Sequence, residues 1–134
     1  MPAIASARAR AERGVHAPPH PRVLVVEDDC LIASALVDDL KEFGFSVVGP
    51  AADLAHAVAI ASTAPLDCAL VDVALCGESA LPVAEILAHR HLPFVFMTGD
   101  DAPLVTFQDV PVLMKPFTVE ELRFALRRIL SPQP

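Results

Sequence analysis

Three consecutive carboxylates, Glu27, Asp28 and Asp29, follow directly on the aliphatic run of "VLVVEDDCLI". Asp72 interrupts a second apolar run, "CALVDV", 44 residues after Asp28. Thr98 ends a third, "PFVFMT", and Lys115 follows a fourth, "VPVLM". Gathered in one place, these acids, a hydroxyl and an ammonium have a definite chemical use. Clustered carboxylates cannot all ionise cheaply, because like charge raises pKa. A hard cation removes that conflict. Mg²⁺ seeks about six oxygen ligands, takes one or a few carboxylates, and leaves its other positions to water and phosphate oxygens. With Lys115 and Thr98 alongside, such a pocket supplies the charge neutralisation and the donors that a phosphoryl group in transfer needs. Asp72 stands alone at its strand end, facing the pair Glu27 and Asp28, and is the natural nucleophile. Asp29 opens the following helix and is read as its cap or first-turn acid rather than as a metal ligand.

The elements that must position these residues alternate along the chain. "RVLVVE" is a continuous aliphatic strand of the kind buried on both faces. "DCLIASALVDDLKEFG" places apolar residues at 31, 32, 35, 36, 40 and 43, a helical spacing closed by Gly44. "FSVVGP" reads as a short strand ended by Gly49 and Pro50, and "DLAHAVAIAST" as a helix capped by Asp53. "CALVDV" is the third strand. "ALCGESA" reads as a loop, and "LPVAEILAHRH" as a helix with Pro82 in its first turn. "PFVFMT" and "VPVLM" are the last two strands. "TVEELRFALRRIL" is an amphipathic helix opened by a capping box, Thr118 with Glu121.

These five β–α units predict an α/β, (βα)₅ flavodoxin-like fold. Its five parallel strands stand in the order 2-1-3-4-5 between two helix layers. The fourth helix, within "GDDAPLVTFQD", is expected to be short or irregular because of Pro103. In this topology the site lies beyond the carboxyl ends of strands 1 and 3. That rule brings Glu27, Asp28 and Asp72 together and sets Thr98 and Lys115 beside them.

Composition narrows the function classes. Hydrophobic residues make up 54% of the 134 residues, too many for a disordered chain. No apolar run approaches the roughly 18 residues that span a bilayer, and the N-terminus has no secretory h-region, so a cytoplasmic protein without membrane contact is expected. The net charge of −7 divides unevenly: residues 1–22 carry +3 and the remainder −10. An acidic domain repels phosphates, which argues against direct nucleic-acid binding. Residues 1–21, with Pro18, Pro19 and Pro21, are read as a disordered N-terminal tail, and 22–131 as the folded domain. Cys30, Cys68 and Cys76 form no ligand spacing and are read as reduced thiols. His89 and His91 are read as a solvated helix end.

In sum, "VLVVEDD", "CALVDVAL", "FVFMTG" and "LMKPF", in that order, resemble a two-component response-regulator receiver domain across residues 22–130. The resemblance implies a phosphoryl acceptor at Asp72, an acidic pair at Glu27 and Asp28, a switch hydroxyl at Thr98 and a phosphate-binding lysine at Lys115. It implies a Mg²⁺ shell of Glu27, Asp28, Asp72 and the backbone carbonyl of Ala74, and a cis Lys115–Pro116 peptide. The phosphodonor would be a histidine kinase or a histidine phosphotransfer protein. "PFVFMTGD" followed by "PVLMKPF" is similar to the stand-alone FAT GUY subgroup, although Met97 and Asp100 depart from its PFxFATGY signature.

The family's signalling aromatic, three residues before the lysine, falls on Val112, and the chain has no tyrosine. Only 16 residues separate Thr98 from Lys115. Phosphorylation is therefore expected to reorder segment 99–110 through Thr98 without an aromatic rotamer. Asp100 and Asp101 are read as exposed loop acids, with a place for Asp100 near the site, tuning dephosphorylation, as the alternative. After Lys115 only one helix remains. The expectation is a single-domain regulator, monomeric or weakly dimeric, acting by protein contact or as a phosphate sink or shuttle. Its chemistry would be self-catalysed phosphoryl transfer and autodephosphorylation, not enzymatic turnover.

Three alternatives remain. A phosphatase of the haloacid-dehalogenase type would place its nucleophile at Glu27 and need a cap insertion. A flavodoxin-like cofactor binder would need a Ser/Thr/Gly phosphate loop where this chain has acids. A receiver-shaped scaffold that is never phosphorylated would keep the pocket without using it.

Overall fold

The computed structural model describes residues 20–99 and 107–131. In chain order the elements are β1 (Arg22–Val26), α1 (Cys30–Glu42), β2 (Ser46–Ala51), α2 (Leu54–Thr63) and β3 (Cys68–Asp72). There follow β4 (Ala74–Leu75), β5 (Glu78–Ser79), α3 (Leu81–His89), β6 (Phe94–Thr98), β7 (Val112–Met114) and α4 (Val119–Leu130). The main sheet has the order β2-β1-β3-β6-β7 with every pairing parallel. This is the order expected from the alternation of strands and helices.

The strand runs are apolar throughout because both faces are covered, and successive side chains point to opposite layers. Val23, Val25, Leu70, Val95 and Met97 pack with Leu36 and Leu40 of α1 and with Leu122 and Leu126 of α4. Leu24, Val26, Ala69, Val71, Phe94 and Phe96 pack on the other face with Ala57 and Ala61 of α2 and with Val83, Ala84 and Leu87 of α3. The alanines of α2 let that helix lie close against the sheet. Phe107 closes the second layer, edge-on to Phe94 and Phe96 at centroid distances of 5.7 and 6.0 Å.

The helix starts follow from their caps. Asp29 accepts from the Leu31 and Ile32 amides, Asp53 accepts from His56, and Thr118 and Glu121 make a reciprocal capping box. Among the described residues, no helix is long and apolar enough to cross a membrane.

Two local expectations are corrected. The second strand does not end at Gly49 and Pro50 but runs on to Ala51, with a register shift opposite Leu24 and Val26. Proline is tolerated there because β2 is an edge strand, and the Gly49–Pro50 peptide is cis, as is Lys115–Pro116. Gly49 has φ +95°, and a Cβ on it would lie 2.9 Å from Ala51 N and 3.0 Å from Val25 O. Only glycine fits this shift, which carries the Ala51 carbonyl to the Glu27 amide at 3.0 Å. Gly49→Ala should therefore destabilise the protein by about 2–4 kcal/mol, read as a lower urea midpoint.

The second correction concerns "ALCGESA". It is not a plain loop: β4 and β5 pair antiparallel, Ala74 with Ser79 and Leu75 with Glu78. The two residues between them, Cys76 and Gly77, have φ +50° and +83°. Positive φ at both central positions is the geometry that matches the twist of a two-residue hairpin.

The N-terminal tail reading falls on residues outside those described, apart from His20 and Pro21. The same holds for Asp100, Asp101 and most of the fourth-helix segment.

Candidate functional site

Glu27 is the first residue past β1. Its side chain is buried, and the residue is 1% exposed. Its Oε2 accepts from the Asp29 amide at 3.1 Å. Its Oε1 has no aligned hydrogen-bond donor, and is held instead by charge, 2.6 Å from Lys115 Nζ. Burial pushes the Glu27 carboxyl up to about 7, against the opposing pull of Lys115.

Asp28, next in the chain, is exposed and points toward the β4–β5 turn, where its Oδ2 accepts from the Cys76 amide at 2.8 Å. That hydrogen bond holds its pKa below the usual carboxylate value. Asp29 has left the cluster to cap α1, as its position at the helix start implied.

Asp72, the last residue of β3, is buried between β1 and β6. Its Oδ1 accepts from the Ala74 amide at 3.1 Å and its Oδ2 from Lys115 Nζ at 2.7 Å. Lys115 is one residue past β7, and its own amide donates to the Thr98 carbonyl at 2.8 Å. Burial works against the Lys115 ammonium. The hydrogen bond to Asp72 and the close charge of Glu27 outweigh it and leave its pKa raised. Thr98, the last residue of β6, is buried at the same sheet edge.

Four parallel strands thus deliver their C-terminal residues to one rim. Carboxylate oxygens of Glu27, Asp28 and Asp72 lie within 4.8 Å of one another. One ammonium bridges two of these three acids. The donor set is all oxygen, and three carboxylates are set against one ammonium, which leaves an excess of negative charge, so the residues present fit a hard cation such as Mg²⁺. The sequence-predicted Glu27, Asp28, Asp72, Thr98 and Lys115 all sit at this rim, and Ala74 adjoins it through its amide. The part played by the Cys76 amide was not foreseen. No side-chain pattern signals a main-chain donor, and only the turn that aims it reveals it.

The cysteines divide by environment. Cys68 is buried in β3, and desolvation drives its thiol pKa far up, so it is inert. Cys30 and Cys76 are exposed, and none of the three is disulfide-bonded.

Comparison with known proteins agrees with this geometry. The family described as "Response regulator receiver domain" matches residues 23–127. The transcriptional regulatory protein PdtaR of Mycobacterium tuberculosis is 31% identical over an alignment of 121 residues, with 82% of this chain and 57% of PdtaR covered. The chain thus spans little more than half the length of the curated relatives it matches. The solution structure of SdrG from Sphingomonas melonis Fr1 is 41% identical with a TM-score of 0.76, covering 84% of this chain and 98% of SdrG. The receiver domain of sensor histidine kinase PA1611 from Pseudomonas aeruginosa PAO1 shares the fold at 23% identity and a TM-score of 0.70, covering 83% of this chain and 98% of that one. That domain holds a magnesium ion coordinated in its active site cleft. A buried five-stranded parallel sheet, acids at its switch point and a family match over most of the chain lead to one assignment: the chain belongs to the response regulator receiver domain family of two-component systems.

Proposed function

We propose that this protein accepts a phosphoryl group on Asp72 from a histidine kinase or a histidine phosphotransfer protein, in a reaction that requires Mg²⁺. The observation that carries the reading is the double engagement of Lys115, 2.7 Å from Asp72 and 2.6 Å from Glu27. It places one cation where the charge of an incoming phosphoryl group would collect. Asp72 attacks phosphorus through a carboxylate oxygen. The new P–O bond forms as the donor's P–N bond breaks, and the bonding pair stays on the donor imidazole. Lys115 then turns from the carboxylate to the phosphoryl oxygens, and Thr98 offers its hydroxyl to them. Glu27, Asp28, Asp72 and the Ala74 carbonyl would hold the cation. When bound, it neutralises charge on the transferred group and offsets the repulsion among the acids.

Signalling would follow by contact with a partner protein, or the domain would serve as a phosphate sink or shuttle. Neither nucleic acid nor a membrane is part of this reading, and the reduced thiols suit a cytoplasmic setting. Turnover of an external substrate is not part of it either.

The test is incubation with a small acyl-phosphate donor, in Mg²⁺ and in chelator. Acid-labile phosphorylation in Mg²⁺ alone supports the reading. Steady hydrolysis of a phosphomonoester would favour the dehalogenase-type phosphatase, and no modification at all would favour the scaffold.

A further inference from the structure

We infer that the β4–β5 hairpin is the positioning element for Asp28, acting through the backbone N–H of Cys76. The inference rests on the Mg²⁺ reading above and concerns how one ligand is held ready. Asp28 is the exposed member of the three carboxylates. An exposed aspartate is free to exchange rotamers, and a ligand that must be frozen on binding weakens affinity. The Cys76 amide, 2.8 Å from Oδ2, fixes one oxygen of Asp28 and leaves the other for the cation.

The strand leading into this turn makes a second tether, from the Ala74 amide to Asp72 Oδ1 at 3.1 Å. One amide on β4 and one in the turn two residues on thus hold the buried acid and the exposed one. The turn, by its geometry, keeps the second amide aimed at Asp28. Its central residues have φ +50° and +83°, and nothing lies within 4 Å of where a Gly77 Cβ would stand. Backbone conformation, rather than lack of space, is thus what calls for glycine there. The Cys76 Sγ reaches the Ala52 carbonyl at 3.6 Å and adds a weak contact to the loop after β2. The donor to Asp28 is the main chain, so the thiol should be dispensable for metal binding.

The experiment compares wild type, Cys76→Ala, and a chain in which lactic acid replaces residue 76. The last keeps the alanine methyl but exchanges the N–H for an ester oxygen. Isothermal titration with MgCl₂ should give Cys76→Ala an affinity within about threefold of wild type. The ester should be weaker than Cys76→Ala by about tenfold, the lower bound typical of a lost outer-shell hydrogen bond. The Mg²⁺-induced rise in Tm should shrink in parallel, whereas a purely structural role would lower Tm equally with and without the ion.

If the ester fails to fold, Cys76→Asn and Cys76→Val take its place. Asparagine tolerates positive φ and should bind as wild type does, while the β-branched valine strains the turn and should bind about tenfold more weakly. A difference under about threefold in the pair tested overturns the inference, as does a large loss in Cys76→Ala. Failure of wild type to take up Mg²⁺ overturns the metal reading itself, and this inference with it.

Discussion

Lys115→Met should abolish the response to an acyl-phosphate donor and destabilise the protein at about pH 8. The ammonium is the shared partner of Glu27 at 2.6 Å and Asp72 at 2.7 Å. Removing it leaves two buried carboxylates facing each other. Breaking a fully buried pair costs about 3–5 kcal/mol. Solvent reaches the Lys115 side chain, which is 17% exposed, so about 1–3 kcal/mol is expected here. The loss has a pH signature. Glu27 already titrates at about 7, and without the ammonium its carboxyl would hold its proton to higher pH still. The deficit should therefore narrow as pH falls toward 5, where protonation removes the repulsion. Urea midpoints of wild type and variant across that range check this, and a deficit independent of pH would refute it. Loss of phosphoryl uptake should persist at every pH, because the proposed donor to the phosphoryl oxygens is gone.

Glu27→Gln should have the opposite effect on stability and a loss of a different kind. The folded-state pKa of Glu27 is raised from 4.5 to about 7, chiefly by burial. A carboxyl raised in this way binds more protons in the folded than in the unfolded state between those values. Its contribution to stability is complete below about pH 4.5 and declines as pH rises through about 7. In Mg²⁺-free buffer at about pH 8, glutamine relieves this burden. The variant should then be more stable than wild type by about 1–3 kcal/mol, with a flatter stability profile between pH 5 and 8. The gain should disappear or reverse in millimolar Mg²⁺, because on the proposed reading wild type would bind the ion and the variant would bind it poorly. Thermal unfolding with and without Mg²⁺ measures both halves. A variant less stable than wild type in chelator would contradict the account of Glu27 as a charge held for a cation.

Much of this arrangement could be read from the chain because the signals were long or chemically stark. "RVLVVE" and "CALVDV" are uninterrupted apolar runs, as strands buried on both faces must be, and their acids mark where the strands leave the core. The switch-point rule then joins residues 44 apart without reference to coordinates. Lys115 was legible as a cation beside apolar neighbours, and Asp29 as a cap by its place before a helical period.

What escaped was short or carried by the main chain. β4 and β5 have two residues each, too few for an alternating pattern, and Cys76–Gly77 lacks the usual Asn-Gly or Asp-Gly hairpin signal. The Cys76 amide has no side-chain signature at all. Pro50 reads as a strand end in a linear sequence. It is tolerated within β2 only because that strand lies at the sheet edge, a fact of topology. The 99–110 switch expectation falls mainly on residues 100–106, outside the described residues.

The central claim is that Asp72 is the phosphoryl acceptor. Its most direct test sets wild type beside Asp72→Ala and Asp72→Asn, each incubated with a small acyl-phosphate donor and Mg²⁺. Intact-mass analysis before and after brief acid treatment reads the outcome. Wild type should gain one acid-labile phosphoryl group and both variants none. A variant modified to the extent of wild type would contradict the assignment.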